Sequence, residues 1–569
     1  MENLEIAKIF REIAKLLEIK EENPFKVRAY YRVAQVIEDS SESVNAIVQR
    51  GDLRKIPAVG EGIARKIEEL LKTGKLKYYE GLKKEIPQGL LTLLEIPEIG
   101  PRTAQLLYQK LEIDSQEKLE KAIAEHKIRD LPGMGEKSEE NIKRGLELLK
   151  TASARMLLGY ALPISEEIIA QIKKNSPVEK IEATGSLRRM KETIGDIDIL
   201  AVSKDSEKVM DVFTSLPMVR DVLAKGPTKS SILTSLGIQV DVRVVKSDEF
   251  GCALHYFTGS KAHNIAIREL AVSKGLKINE YGVFKGKKKI GGKKEDELFR
   301  VVGLSYIPPE LREDRGEIEA AKENKLPELV EYDDIKGDLH IHSEWSDGED
   351  SVEDIAKAAK TIGYEYIGIC DHSQSMKIAG GLTVVDLRKK IAEIKKLNNK
   401  MKGITILAGA EVDIKADGSL DYPDEILKEL NVVIAAVHSG FKMDEERMTH
   451  RVIKGIENKY VHILAHPTGR LISKREPCKV DVESLIKAAA KTGVLLEINA
   501  YPERLDLFDI HCRRAKDEGV IMAIGTDAHH LYQLKFMKFG VGVARRGWLE
   551  KKDVLNTLPL VQLLKKLKK

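Results

Sequence analysis

The spacing of apolar residues along the chain divides it into regions of different predicted structure. Residues 1–150 place apolar positions at helical intervals in short segments that glycine turns separate, and no strand-like alternation occurs there. Between 181 and 245, the runs IEATGSL, IGDIDILAV and GIQVDVRVV are rich in β-branched residues and predict strands. The stretch 312–335 is charged and poor in core-forming residues, which predicts a linker with some helix.

After residue 336, strand and helix patterns alternate regularly. Seven short apolar runs follow one another: DLHIH, YIGIC, ITILAGAE, VVIAAVH, VHILAH, VLLEIN and VIMAIGTD. Helical stretches such as VEDIAKAAKTIG and VESLIKAAAKTG separate most of them. This alternation predicts a parallel sheet, and seven units favour closure into a barrel.

Composition changes this picture little. The chain has 569 residues, 42% of them hydrophobic, which suits several domains with ordinary cores. No apolar run is long enough to span a membrane, and the charged, helical first segment lacks a signal-peptide core. The four cysteines show neither metal nor disulfide spacing. We therefore expect a cytoplasmic protein without a membrane partner, acting as a monomer.

The formal net charge of +4 does not by itself indicate that the protein binds nucleic acid. Because 32% of the residues are charged, basic faces can nevertheless exist on a nearly neutral protein. The histidines are more informative, because only three of the 13 precede residue 335. This asymmetry indicates that the last part of the chain performs a different chemistry.

Polar side chains follow the apolar runs of the predicted barrel. They are His340, His342, Asp347, His372, Glu411, His438, His466, Asp527 and His529. In a parallel barrel these strand ends open onto one face. Imidazole and carboxylate together suit zinc, manganese or iron, and nine ligands fit two or three ions that clamp the oxygens of a phosphoester. The alternative is that each histidine is separately buried or capped, but six at the same end of five strands argue against it.

The segments DLHIHSEWSDG, CDHS, GAEVDI, AAVHSG, LAHP and GTDAH resemble the motifs of the polymerase and histidinol phosphatase (PHP) domain. The resemblance covers about residues 336–569. It implies a distorted seven-stranded barrel, and it assigns metal-ligand roles to the nine residues named above. All nine positions have a competent ligand, so we expect an active hydrolase with two or three divalent ions (Mn²⁺, Zn²⁺ or Fe²⁺).

A second candidate site lies in GSLRRMKETIGDIDIL. Asp196 and Asp198 alternate along a strand and face the same side, and Asp241 lies in another strand, QVDVRVV. Three carboxylates on adjacent strands suit Mg²⁺ or Mn²⁺, and two such ions can serve a nucleotidyl transfer. A solvated strand face is the alternative for a D-x-D pattern alone.

Gly185 and Ser186 follow a predicted strand and could open a helix whose backbone N–H groups bind phosphate. Arg189 is near enough in sequence to neutralise the same phosphates. This Gly-Ser pair, followed at an eleven-residue spacing by D-x-D, resembles the nucleotidyltransferase palm.

The segments YFTGSKAHNIAIRELA at 256–271 and INEYG at 278–282 resemble the thumb of family X DNA polymerases, whose best-known member is DNA polymerase beta. The resemblance implies that Tyr256 and Phe257 lie beside the incoming sugar and that Gly259 supports a tight turn. It places Asn264 at the minor-groove edge of the incoming base and Arg268 at the template strand. Core packing is the alternative for the two aromatic residues.

Two positions depart from the family pattern. Lys261 stands where the vertebrate enzyme has an acid near the incoming nucleotide, and Gln239 replaces an arginine two residues before Asp241. The second change bears on how the primer end and Asp241 are held. Neither change removes a metal ligand.

Three units in the helical front share an apolar-Pro-x-x-Gly turn before a helix start: IPAVGEGIARKIEELL, EIPEIGPRTAQLLY and LPGMGEKSEENIKRGL. Such turns expose backbone N–H groups that can hold a DNA backbone without reading its sequence, whereas a single copy is equally an ordinary helical hairpin. By position, Lys66 matches the Schiff-base lysine of the family X lyase domain. Gly62 and Tyr31 replace basic residues there, so a surface lysine remains the alternative.

The whole chain resembles the bacterial and archaeal family X DNA polymerases with a C-terminal PHP domain. The expected fold is multidomain α and α/β: a helical lyase-like domain (1–80), helix-hairpin-helix fingers (81–150), a palm (151–245), a thumb (246–314), a linker (315–335) and the PHP barrel (336–569). The resemblance implies a DNA-directed DNA polymerase that fills short gaps in base excision repair. Its partners would be gapped or primer-template DNA and dNTPs.

For the PHP site, we expect metal-dependent 3′–5′ exonuclease or 3′-end processing, with cleavage at abasic sites as a further candidate activity. Two alternatives belong to other classes: a DNA-end-binding scaffold with an inactive palm, and a small-molecule phosphatase fused to a helical domain. Complete carboxylate and ligand sets disfavour the scaffold. The three hairpin units and the thumb motif disfavour the phosphatase.

Overall fold

The computed structural model describes residues 3–38, 40, 43–56, 58–87, 89–94, 96, 99–151 and 155–568. These residues form two compact units, Met1–Ala154 and Arg155–Lys569. Among the described helices, none combines the length and the apolar composition needed to cross a bilayer.

The first unit is helical, as the sequence predicts. Its helices are α1 (Asn3–Ile19), α2 (Pro24–Glu38), α3 (Val44–Gln49), α4 (Glu61–Thr73), α5 (Lys77–Glu85), α6 (Gly89–Leu93), α7 (Pro101–Leu111), α8 (Gln116–Ala124) and α9 (Glu136–Thr151). One face of each amphipathic helix enters a shared core that includes Phe10, Ile67 and Leu107. Positions 57, 95, 97 and 98 of the first two predicted hairpin turns lie outside the described residues; the glycines that end these turns directly precede α4 and α7, and the third turn precedes α9.

The second unit begins with the predicted palm. A short antiparallel pair, β1 (Met156–Leu157) and β3 (Thr193–Ile194), lies beside a five-stranded sheet. That sheet has the order β2 (Val178–Ala183), β4 (Asp196–Ser203), β7 (Gln239–Val245), β6 (Lys229–Thr234) and β5 (Val219–Lys225). The helices of this region are α10 (Leu158–Asn175), α11 (Gly185–Arg188) and α12 (Ser206–Thr214). Strands β5 and β6 were not among the predicted ones.

The predicted thumb follows directly. It contains α13 (Phe250–Thr258), α14 (Lys261–Ser273), α15 (Glu295–Val301) and an antiparallel sheet of β8 (Leu276–Asn279), β9 (Gly282–Lys285) and β10 (Lys288–Gly291). The charged stretch after it forms α16 (Glu317–Lys322) and packs closely against its surroundings. Val330 is fully buried there, and its N–H donates to the carbonyl of Leu549, 3.0 Å away.

The remaining strands confirm the predicted barrel. Seven parallel strands run in chain order: β11 (Gly337–Ile341), β12 (Tyr366–Ile369), β13 (Thr405–Asp413), β14 (Val432–Ala436), β15 (Ile463–Leu464), β16 (Leu495–Asn499) and β17 (Met522–Gly525). Most residues in these strands are buried, as expected for strands covered on both faces. A parallel bridge between Ile341 and Ala528 brings the last strand back to the first, so the barrel is nearly closed.

Helices surround these strands. They are α17 (Val352–Ile362), α18 (Val384–Lys400), α19 (Asp424–Leu427), α20 (Glu445–Ile456), α21 (Val482–Thr492), α22 (Asp509–Asp517), α23 (Met537–Arg546) and α24 (Leu560–Leu567). Helix α23 also contacts the palm. Its Gly542 lies so close to Met190 that a Cβ added there would be 2.7 Å from the Met190 side chain. Palm, thumb and barrel therefore pack as one unit.

Candidate metal centres and nucleic-acid surface

The register of two parallel strands brings the three palm carboxylates together. Asp198 on β4 is the direct partner of Asp241 on β7, and Asp196 lies two residues earlier on the same face of β4. The residues between them, Ile197 and Val240, point into the core and are fully buried. Alternation along the strands thus places carboxylates on the open face and fixes their spacing.

This cluster concentrates negative charge in a partly enclosed place. Burial, together with the charges of Asp196 and Asp241, raises the pKa of Asp198 to about 7. A carboxyl group with so high a pKa lacks sufficient positive charge around it. Oxygen ligands from three carboxylates are the donor set that Mg²⁺ or Mn²⁺ prefers, so these residues fit the predicted ions.

Gly185 makes the turn beside this cluster possible. Its φ of +64° lies in the left-handed region, and a Cβ there would stand 2.9 Å from Oδ2 of Asp198. The preceding Thr184 donates its N–H to the carbonyl of Asp198 at 2.8 Å, which ties the turn to β4. Ser186 is partly exposed at the beginning of α11.

Arg189, for which the sequence predicts a phosphate contact, is paired with other groups of the protein in this structure. Its Nε donates to Glu313 at 3.0 Å, and another guanidinium nitrogen donates to the carbonyl of Thr258 at 2.6 Å. Its side chain is only 11% exposed, so little of it can reach an incoming group. The short sequence distance between Gly185 and Arg189 could not show that the Arg189 side chain points towards the thumb.

The predicted nucleotide contacts gather around the turn between α13 and α14. The rings of Tyr256 and Phe257 meet edge to face, 5.1 Å apart, and both are partly exposed. Asn264 donates through Nδ2 to the carbonyls of Tyr256, at 2.8 Å, and Gly259, at 3.1 Å. A Cβ on Gly259 would collide with Asn264 Oδ1 at 2.6 Å, so glycine allows this close approach. Arg268 is exposed one turn further along α14.

A cavity of about 130 Å³ opens beside the carboxylates. Its walls include Asp198, Asp241, Lys229, Arg243 and Phe257. The guanidinium of Arg243 lies over the Phe257 ring, 4.9 Å from its centre. The cavity therefore has an acidic wall that faces basic and aromatic side chains.

At the carboxyl ends of the barrel strands, eight of the nine predicted ligands form three overlapping groups, each able to surround one metal ion. The groups are His342 with Asp347, His372 and His529; His340 with His342 and Asp527; and His372 with Glu411 and His438. His466 adjoins the third group, with its Nε2 2.8 Å from Oε1 of Glu411. Sharing of His342 and His372 links the groups into a single cluster.

Several atoms of this cluster are buried without a hydrogen bond in the described part of the chain, among them Oε2 of Glu411 and Nδ1 of His342. Burial opposes ionisation of Glu411, but His438, His372 and His340 outweigh it and hold the pKa of this carboxyl well below its usual value. Burial, with His529 and His372 nearby, lowers the pKa of His342 to about 4. Burial opposes protonation of His372 and His438, but Glu411, with Asp347 nearby in one case and Asp413 in the other, outweighs it. The pKa of His372 is raised to about 10 and that of His438 to about 8, so divalent ions would displace protons from these imidazoles. Imidazole and carboxylate together are a donor set that suits divalent transition-metal ions, so the residues fit them.

Sequence reasoning missed the residues that orient these ligands. Glu497 lies 2.6 Å from Nδ1 of His340 and accepts the backbone N–H of His466 at 2.8 Å. Asn499 donates to Oδ2 of Asp527 at 3.1 Å. Asp413 accepts the N–H of His438 at 3.1 Å. Two of these residues could have been predicted, because Glu497 and Asn499 are the polar residues at the end of the apolar run VLLEIN.

In the first unit, the hairpin glycines lie in open space. Gly60 and Gly100 cap α4 and α7 with nearly equal backbone angles, and a Cβ on either would meet no atom of the described residues within 4 Å. Packing within the protein therefore does not demand glycine at these turns. Their exposure suits the close approach of another backbone, as a DNA phosphate contact requires.

Lys66 lies on α4, partly buried. Its Nζ donates to the carbonyl of Gly62 at 3.2 Å and lies 4.8 Å from the centre of the Tyr78 ring. Burial, and then the charge of Lys26, lowers the pKa of Lys66. Tyr31 donates its hydroxyl to Glu18, 3.0 Å away.

Comparison with known proteins decides the family. The DNA polymerase/3′-5′ exonuclease PolX of Bacillus subtilis (strain 168) is 40% identical over 565 residues, 98% of each chain. The chain belongs to the family X DNA polymerases that contain a PHP domain. Models of known families match this polymerase at 1–76 (helix-hairpin-helix domain), 90–147 (SAM-like helix-hairpin-helix tandem), 253–313 (DNA polymerase beta thumb) and 338–501 (PHP domain).

Other relatives match parts of this family X polymerase. Rat DNA polymerase lambda is 26% identical over 290 residues, which are 45% of this chain and 48% of its own. A probable phosphatase of Thermoanaerobacter sp. (strain X514) is 31% identical over 232 residues, 39% of this chain and 89% of its own. Polymerase and PHP domains use divalent metal ions, and a family X polymerase binds DNA and dNTPs. The three ligand groups of the barrel agree with this.

Proposed function

We propose that this protein fills short gaps in DNA during base excision repair and that its PHP domain processes 3′ ends as a metal-dependent 3′–5′ exonuclease. The supporting observation is the register of β4 and β7. It places Asp198 beside Asp241 with Asp196 on the same face, in one compact unit with the barrel's ligand cluster.

For the polymerase step, the three palm carboxylates would hold divalent ions, which would lower the pKa of the primer 3′-hydroxyl and neutralise charge on the triphosphate. The turn at Gly185 and Ser186 offers backbone N–H groups to the phosphates. Tyr256 and Phe257 are partly exposed and present ring edges to the sugar. Template pairing then selects the nucleotide.

For the nuclease step, the histidines and carboxylates of the barrel would hold divalent ions, which would lower the pKa of an attacking water and stabilise charge on the phosphodiester oxygens. Glu497 and Asp413 orient His340 and His438 from behind. The same cluster would cleave at abasic sites, because both reactions break a phosphodiester. Trimming by this site leaves an end that the palm can extend.

A second candidate activity is 5′-end removal at abasic sites through Lys66. A lysine forms a Schiff base only as the neutral amine, and the lowered pKa of this partly buried lysine supports that role. Borohydride reduction should trap wild-type protein on abasic DNA. Lys66→Ala should lose the trapped product, whereas Lys72→Ala, an exposed lysine on the same helix, should keep it. Trapping that persists in Lys66→Ala would exclude this role.

The deciding experiment uses a duplex with a one-nucleotide gap and Mg²⁺ or Mn²⁺. Wild type should extend the primer and also shorten it from the 3′ end. Asp241→Ala should lose extension but retain nuclease activity, and His342→Ala should show the reverse. Normal extension by Asp241→Ala would refute the palm assignment. Loss of both activities in either variant would argue against two independent sites.

We further propose that the protein acts as a monomer in the cytoplasm. The large apolar side chains that the described surface exposes are scattered along the sequence, for example Phe25, Leu236 and Val561. Light scattering coupled to gel filtration should give the mass of one chain, 63.7 kDa. A mass of twice that value would contradict the monomer.

A further inference from the structure

The open side of Asp241 is occupied by an ammonium group. Lys229 on β6 is the register partner of Arg243 on β7, which makes it a diagonal neighbour of Asp241. Its Nζ lies 2.9 Å from Oδ2 of Asp241. The other carboxylate oxygen, Oδ1, accepts a hydrogen bond from Nε2 of Gln239 at 2.9 Å. Both oxygens of this predicted metal ligand therefore contact side-chain donors of the palm itself.

The two donors differ in what they do to a metal ion. The amide of Gln239 is neutral and fixes the orientation of the carboxylate without cancelling its charge. Lys229 brings a full positive charge to the position from which an ion would bind, so the two cations compete for Asp241. Because Gln239 replaces the arginine of the family pattern, the positive charge at Asp241 comes from a side chain on a different strand.

Lys229 is also able to leave. Its side chain is 47% exposed, and a four-carbon stem gives it many rotamers. With Arg243 it lines the cavity beside Asp198 and Asp241. A phosphodiester entering this cavity would attract both basic groups, and a lysine that turns towards the phosphate releases the carboxylate.

We propose that Lys229 is a positioning residue that keeps Asp241 closed to divalent ions until the primer strand arrives. This inference rests on the proposed polymerase function. The phosphate nearest the primer 3′ end draws the ammonium away from Asp241, so DNA binding and metal binding in the palm strengthen each other. Ions are then held in the palm mainly when a primer is present.

The first test measures Mn²⁺ binding without DNA, from the electron paramagnetic resonance signal of free Mn²⁺. The full-length proteins are wild type, Lys229→Met, Lys229→Arg and Lys225→Met, and Asp198→Ala defines the palm's share of binding. Lys225, on the neighbouring strand β5, is the matched control, because it pairs with Asp211 of helix α12 at 2.6 Å. Lys229→Met should bind palm Mn²⁺ about three- to tenfold more tightly than wild type, the range expected for a half-exposed ion pair.

Lys229→Arg, which keeps the charge, and Lys225→Met should both stay near wild type. Equal or weaker Mn²⁺ binding by Lys229→Met would overturn the proposal. A similar gain in Lys225→Met would also overturn it, because the effect would then come from general charge and not from contact with Asp241.

The second test adds gapped DNA in a His342→Ala background, which keeps the primer intact. One primer has ordinary linkages and the other has a neutral methylphosphonate at its last linkage. In the protein that retains Lys229, DNA with ordinary linkages should strengthen Mn²⁺ binding in the palm. The neutral linkage should remove most of that gain. Lys229→Met should respond much less to either DNA. An unchanged gain with the neutral linkage would refute release by the primer phosphate.

The two hypotheses can fail separately. A protein that never extends a primer would refute the proposed function, whereas the DNA-free Mn²⁺ affinities would still report whether Lys229 competes for Asp241. Conversely, normal gap filling with no change of Mn²⁺ affinity in Lys229→Met would refute only the role of Lys229.

Discussion

At the scale of single residues, the palm site depends on how closely backbone and carboxylate approach. Gly185 combines a left-handed φ with a Cβ direction that points at Asp198. Gly237, in the turn between β6 and β7, has a φ of +83° but open space around its Cβ direction. Comparing substitutions at the two glycines therefore distinguishes the cost of a left-handed backbone from the cost of a collision with Asp198.

Gly185→Ala should lower the rate of primer extension at least about tenfold, because a methyl group displaces Asp198 in addition to the roughly 1 kcal/mol cost of the left-handed backbone. Gly237→Ala has the backbone cost alone and should extend primers nearly normally. Single-turnover extension on gapped DNA gives the comparison. Equal rates in the two variants would show that the approach of Gly185 to Asp198 is unimportant.

The pKa of Asp198, raised to about 7, predicts a pH-dependent metal requirement. A metal ion binds the ionised carboxylate, so below the pKa a proton must leave before the ion can bind. The Mg²⁺ concentration for half-maximal extension should therefore rise roughly tenfold between pH 8 and pH 6 and change little above pH 8. Mg²⁺ titrations of extension at several pH values measure it. A half-maximal concentration that is constant from pH 6 to 8 would contradict the raised pKa.

At the scale of elements, barrel closure depends on hydrogen bonds from outside the strands. Asn556 is fully buried between the first and last strands. Its Nδ2 donates to the carbonyls of Gly337 and Ile524, each at 2.8 Å, and its Oδ1 accepts the N–H of Ile524 at 2.7 Å. One side chain thus joins the first residue of β11 to Ile524 of β17 at the seam.

Asn556→Ala should reduce the free energy of unfolding by about 2–4 kcal/mol, because three backbone groups lose buried partners. Asn458→Ala removes two hydrogen bonds in more exposed surroundings, one to Asp424 and one from the N–H of Tyr460, and should change the free energy of unfolding by about 1 kcal/mol or less. Urea unfolding of both variants, followed by circular dichroism, measures the difference. Similar losses in the two variants would show that the seam is not held by Asn556.

At the scale of the whole molecule, palm, thumb and barrel share buried charges. Glu313, at the end of the thumb, accepts a hydrogen bond from Arg189 of the palm at 3.0 Å and one from Arg546 of the barrel at 2.9 Å. Burial opposes its ionisation, but Arg546, Lys191 and Arg189 hold the pKa of its carboxyl well below the usual value. The carboxylate thus balances cations from two domains.

Glu313→Gln should reduce the free energy of unfolding by about 3–5 kcal/mol, because it leaves buried arginines without a counter-charge. Glu166→Gln provides the control, since Glu166 reaches Lys538 across the same boundary but is largely exposed. Glu166→Gln should reduce the free energy of unfolding by less than about 0.5 kcal/mol. Denaturant unfolding of the Arg155–Lys569 region distinguishes them, and equal costs would mean that Glu313 does not join the domains.

Much of the fold and site could be predicted from the sequence because it depends on local periodicity and short motifs. The seven apolar runs predicted the seven strands, and alternation placed Asp196 and Asp198 on one face. Strand ends likewise predicted which barrel residues meet, since the carboxyl ends of parallel strands open onto one face. The wider family followed from the same motifs.

Contacts between distant segments could not be predicted in this way. The contacts of Arg189 with Glu313 and of Lys229 with Asp241 are seen only in the folded structure. They depend on the register between strands and on the packing between domains. Glu497 reached His340 for the same reason. By itself, the sequence determined which residue types stand at strand ends, through a period fixed by the backbone. The tertiary structure decided which charges each one meets, because side chains take the partners that long-range packing brings within a few ångströms.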